Sequence, residues 1–88
     1  MGHLRLVTDD VMRERLRINV RVYRSAASLS AAAAAKRVKM HLRHWQKIEA
    51  GVVNVTLLTL ARVGVALGVD PTKLLNEPQG RGPGPSNA

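Results

Sequence analysis

The stretch that most constrains this chain is Ser30 to Gly51, SAAAAAKRVKMHLRHWQKIEAG. Its spacing predicts two short helices around a tight turn. Ser30 is a good N-cap, and the alanine run that follows favours helix and permits close packing while adding little core volume. Lys39 and Met40 make the turn, with His41 as a possible cap for the next helix. That helix runs from about Leu42 to Ala50 and stops naturally at Gly51. Met40, Trp45 and Ile48 fall on its inner side, whereas Arg43, His44 and Lys47 fall opposite by their i, i+1, i+4 spacing. A short helix that is apolar inside and basic outside, held by a second helix, suits the major groove of DNA.

Charge supports an anionic partner. The chain has 88 residues and a net charge of +8, and its basic residues are not confined to a tail. Ten Lys or Arg residues lie between Arg15 and Val69, where Glu49 is the one acid. The size allows one domain and a small core, for which pairing of copies is a common remedy. There is no cysteine, so disulfides and thiolate metal sites are excluded, in keeping with a reducing cytoplasm. No apolar run approaches the length of a membrane span, and MGHLRLVTDD lacks the apolar core of a secretory signal. Phenylalanine is absent, with one Trp and one Tyr, which argues against single-strand binding by stacked aromatics. No nucleophile–base pair, phosphate loop or metal cluster is legible. His41 and His44 are three apart on a helix, but no third ligand lies near. The chain is therefore expected to be no enzyme and to need no metal or cofactor.

The rest of the chain divides into a leader (1–9), a helical domain (10–77) and a flexible tail (78–88) rich in Pro and Gly. His3 to Val7 alternates weakly, as a small strand would. Thr8, Asp9 and Asp10 start a first helix, about Asp10 to Ala26, with its acids suited to the helix dipole. Leu16, Val20 and Tyr23 form its buried stripe. Ser28-Leu29-Ser30 breaks it. A fourth helix runs from about Thr56 to Leu67 and ends at Gly68. Asp70 and Pro71 open a last helical turn closed by Leu74 and Leu75.

These pieces together resemble the Cro/repressor-like (XRE-type) helix-turn-helix family. The resemblance covers about Leu16 to Leu75 without a gap. It rests on Val20-Arg21…Arg24, Leu29-Ser30, Ala35, Ile48-Glu49-Ala50-Gly51 and Ala66-Leu67-Gly68-Val69-Asp70-Pro71…Leu74-Leu75. The resemblance implies an all-α, five-helix lambda-repressor-like DNA-binding domain. It further implies that Arg24 and Glu49 form a structural ion pair, a role that suits the lone acid of a basic region. Leu42, Arg43 and Lys47 would face the major groove, Arg43 forking to guanine and Leu42 touching a thymine methyl. Ser30, Lys36, Arg37, Lys39, His41, His44, Gln46 and Asn54 would lie along the DNA backbone. The chain departs from the family where Ala31 replaces a phosphate-contacting glutamine, Ala34 a leucine, Lys39 the turn glycine and Val55 a loop proline. Trp45 stands where the family mostly has a smaller aliphatic residue and would fill the space that Ala34 leaves.

Ile18, Val22, Leu58 and Val65 are apolar where the family is usually polar, and they mark a surface for a homodimer or another protein. The expected role is a cytoplasmic, operator-binding transcriptional regulator, most simply a dimeric repressor of double-stranded DNA. The alternatives are a protein-interaction module on the same fold, or an antitoxin that regulates its own operon.

Overall fold

A computed structural model describes residues 6–78. Four α-helices and one 3-10 segment follow in order: α1 (Asp9–Ala26), α2 (Ala31–Arg37), α3 (Leu42–Ala50), α4 (Leu57–Leu67) and the 3-10 segment Pro71–Leu75. There is no strand among the described residues. Most of the strand expected at His3 to Val7, and the tail beyond Pro78, lie outside them. The expected fifth α-helix is corrected to a 3-10 turn: with Pro71 at its start and Asn76 already extended, five residues allow no further turn.

Every helix but α3 starts where a side chain satisfies a free backbone N–H group. Thr8 caps α1, accepting from the Val11 N–H, with Asp9 and Asp10 in the first turn. Ser30 accepts from the Ala33 N–H, Thr56 from Thr59 and Asp70 from Thr72. His41 stands at the N-cap of α3 but makes no side-chain capping bond. Four turns need left-handed backbone, the one after α4 at Gly68 among them. Gly51 supplies it after α3 at φ 74°, and Lys39 supplies it between α2 and α3 at φ 54°. Lys39 therefore adopts the conformation of the glycine it replaces, at a cost of about 1 kcal/mol. Ser28 does the same after α1 at φ 58°, which the sequence did not announce.

One core joins all the elements. Leu16 and Val20 of α1, Ala34 and Ala35 of α2, Met40, Trp45 and Ile48, the inner side of α4, and Leu74 are buried together. Trp45 and Ala34 are both fully buried, so the large ring sits in the same core as the small residue. Tyr23 is only partly buried. Asn19 is the exception on the α1 stripe: it is buried, and its amide donates to the carbonyls of Leu74 and Asn76 at 2.9 Å each. It thereby ties the C-terminal end of the domain to α1.

Gly64 marks the tightest approach. A Cβ there would stand 2.8 Å from the Val69 carbonyl oxygen and 3.1 Å from the Pro71 ring. The Val69 N–H is bonded back to the Gly64 carbonyl at 3.0 Å, so the loop has little freedom to retreat. Gly64→Ala is expected to destabilise by about 1–3 kcal/mol, although alanine is the better helix former by about 1 kcal/mol. Urea denaturation reads the difference, and an unchanged or raised midpoint would show that the loop yields.

Candidate nucleic-acid interface

α3 is fixed from its inner face. Trp45, Ile48 and Glu49 are buried, leaving Leu42, Arg43, His44, Gln46, Lys47 and Ala50 exposed. The Glu49 carboxylate is the anchor. Its Oε2 accepts from Arg24 Nε and from Trp45 Nε1, both at 2.5 Å, and its Oε1 accepts from Arg24 Nη2 at 3.0 Å. Arg21 Nε lies 3.6 Å away on the solvent side. Arg24 also donates to the Leu29 carbonyl at 2.9 Å, bracing the turn into α2. Burial pushes the Glu49 carboxyl up. The hydrogen bonds from Arg24 and Trp45, with the positive charges of Arg24 and Arg21, outweigh that push and hold it below the ordinary carboxylate value.

The charged face forms by subtraction. Arg13 is bound by Asp9 and Asp10, and Arg17 by Glu14. Arg24 is taken by Glu49. No carboxylate among the described residues comes within ion-pair range of Lys36, Lys39, Arg43 or Lys47. Lys36, Lys39, His41 and Leu42 border one open hollow between α2 and the start of α3, floored by Ala32, Ala35 and Met40. The small alanines of α2 make that hollow possible. Leu42 keeps 40% of its surface exposed. Lys36, Lys39, Arg43 and Lys47 thus gather on α2, the turn after it and α3, with their local carboxylate, Glu49, turned inward; Arg15, Arg62 and Lys73 elsewhere also lack a carboxylate partner among the described residues.

Several residues expected along a DNA backbone have partners within the chain. Arg37 donates to the Ala66 carbonyl at 3.0 Å. That contact has a simple cause: the last carbonyls of α4 are free acceptors, and a guanidinium at a helix C-terminus completes them. Arg62 does the converse, donating to the Val38 carbonyl at the end of α2. Sequence reasoning passed over Arg62, although a lone cation in the apolar α4 was a signal. Asn54 accepts from Arg13 at 2.6 Å through its Oδ1, so its NH2 is directed away from that contact. The Ser30 hydroxyl oxygen serves as the α2 cap yet remains exposed.

The surface residues separate. Leu58 and Val65 on α4 are 70% and 72% exposed. Ile18 is half-buried and borders a hollow with Leu6, Val7 and Pro78. Val22 stays 54% exposed, on the side of α1 next to Asn19, Lys73 and Asn76. Leu57, at the start of α4, is 84% exposed as well.

No helix among the described residues is long and apolar enough to cross a membrane. No group of three His, Cys, Asp or Glu residues among them is placed to hold a metal ion.

Comparison with known proteins places this geometry. The model of a helix-turn-helix domain family matches residues 15–77. A crystal structure described as a hypothetical transcription factor NHTF from Neisseria superposes with a TM-score of 0.74 at 23% identity, covering 89% of this chain and 90% of that one; it shares the fold. No curated protein matches the chain. With a family match over more than half its length, the chain belongs to the helix-turn-helix domain family.

Proposed function

We propose that this chain is a sequence-specific transcriptional regulator of the XRE type that represses by occupying a double-stranded operator as a homodimer. One observation carries the reading. The inner face of α3 is locked by the Arg24–Glu49–Trp45 contacts, and its outer face presents Arg43 and Lys47 without a carboxylate partner. A rigid helix with unpaired forked and pointed donors suits base edges in the major groove. Arg43 fits guanine O6 and N7, Lys47 a neighbouring acceptor, and Leu42 a thymine methyl. Ser30, Lys36, Lys39, His41, His44 and Gln46 then contact phosphates, joined by the side-chain NH2 of Asn54, whose Oδ1 is held by Arg13. Arg37, occupied by Ala66, adds charge there more than a direct bond. The protein acts by binding and not by catalysis, in the cytoplasm and on the nucleoid when bound to DNA.

A second reading is favoured by the exposed Leu57, Leu58 and Val65: a helix-turn-helix module, such as an antitoxin, that also holds a protein partner. Selection of bound sequences from a random duplex pool at about 0.15 M salt decides between them. A palindromic winner preferred at least about a thousandfold over scrambled DNA is the expected result. Enrichment of nothing, with affinity that vanishes as salt rises, would leave charge-driven contact alone and favour the protein-partner reading.

A further inference from the structure

We infer that the outer face of α4 pairs antiparallel with α4 of a second copy, with Ala61 on the two-fold axis. The inference rests on the dimer reading above and on no DNA contact. Leu57, Leu58, Ala61 and Val65 form a continuous exposed apolar stripe. Ala61 is its centre, since Leu57 and Val65 each lie four residues away, about 6 Å along the axis. A small residue at the centre lets two helices cross closely, and the larger side chains on either side then interlock, Leu57 and Leu58 of one copy against Val65 of the other.

Charge selects the antiparallel arrangement. The Val65 end of the stripe borders Arg37, Lys39 and Arg62. The Leu57 end borders Asp9 and Arg13, which with Asp10 make one ion-pair group of net negative charge; the Asp9 side chain in it is 80% exposed. An antiparallel pair brings the cations of each copy towards the Asp9 of the other. A parallel pair would set three cations against three. The other apolar surface fits a second copy poorly: the hollow at Ile18 is bordered by Asp10, Glu14 and Glu77 against the one cation Arg15, so self-pairing there opposes surfaces of the same net sign. A two-fold contact also closes on itself and leaves no stripe open for further copies.

Stable pairs bury about 800 Å² on each partner. A three-turn stripe offers less, so the pairing is weak in free solution, and a covalent trap reads it best. The chain has no cysteine, so any disulfide dimer reports the residue introduced. In the full chain without DNA, Ala61→Cys is expected to form disulfide dimer at least about tenfold faster than Val22→Cys, which samples only random collision. Adding Val65→Glu to Ala61→Cys should return it to the collision rate. A mixture of Leu57→Cys and Val65→Cys chains should cross-link faster than either alone. Circular dichroism confirms that these surface variants fold. Equal rates for Ala61→Cys and Val22→Cys, or Leu58→Cys chains cross-linking to each other faster than Ala61→Cys chains, would overturn the interface. If sedimentation of the unaltered chain then shows a dimer, only this interface fails. If it shows a monomer at every concentration and on operator DNA, the dimer reading fails with it.

Discussion

Glu49→Ala should destabilise the domain by about 3 kcal/mol, the low end of what loss of one partner from a buried ion pair costs. The low end applies because Arg24 keeps 21% of its side chain exposed and can recover some hydration. Even so, three donors lose their acceptor at once: Arg24 Nε, Arg24 Nη2 and the indole N–H of the fully buried Trp45. Domains of this size have net stabilities near the bottom of the usual 5–15 kcal/mol range, so the variant should be close to its melting point at 37 °C. Urea titration followed by Trp45 fluorescence measures it. The same group sets the acid limit. Its folded pKa lies below the ordinary 4.5, so its contribution is fully present above pH 4.5 and is lost as the pH falls through the folded value. Glu49→Gln keeps the shape but removes the titrating charge, and its stability should fall less steeply below pH 4.5 than that of the unaltered chain. Parallel acid limbs in the two proteins would show that some other carboxylate governs acid unfolding.

Much of this arrangement was legible because it depends on local chemistry. Ser30, Thr56 and Asp70 begin helices with their own side-chain oxygens, and Gly51 and Gly68 end them in left-handed backbone. Those signals act within four residues, so the chain displays them without its fold. Glu49 was legible for a different reason: an acid alone among ten cations needs a cation, and the resemblance named Arg24. What stayed hidden depends on chain ends meeting across the domain. Asn19 holds carbonyls more than fifty residues away. Arg37 and Arg62 exchange helix ends, each completing the carbonyls of the helix the other sits on. On a linear reading both arginines are merely surface charge. The one side-chain donor of Trp45 is a local exception to that limit. Its ring was assigned to the core correctly, but an i, i+4 reading of Glu49 could have shown that the indole N–H had its acceptor one turn along.

Joint reversal at the recognition face, Arg43→Glu with Lys47→Glu, should remove the preference for operator over scrambled DNA, a loss of at least about 4 kcal/mol in discrimination. The expectation follows from position. Both side chains are on the exposed side of a helix whose inner side is fixed, and neither has an ion-pair partner among the described residues whose loss would disturb the fold. Thermal melting should therefore change little while specific binding disappears. The two residues sit one helical turn apart and share a charge environment, so their effects are not expected to add as independent terms. Arg43→Ala alone separates reading from attraction: it should cost about 1–3 kcal/mol and relax selectivity at one base, whereas Lys36→Ala should weaken all sequences alike and flatten the salt dependence. Leu58→Glu provides the opposite control, since it lies on α4 and should disturb assembly while leaving the binding of a single half-site intact. If the double reversal leaves discrimination intact and Leu58→Glu abolishes the protein's activity, the basic face of α3 is solvated charge and the work of the chain is done by α4.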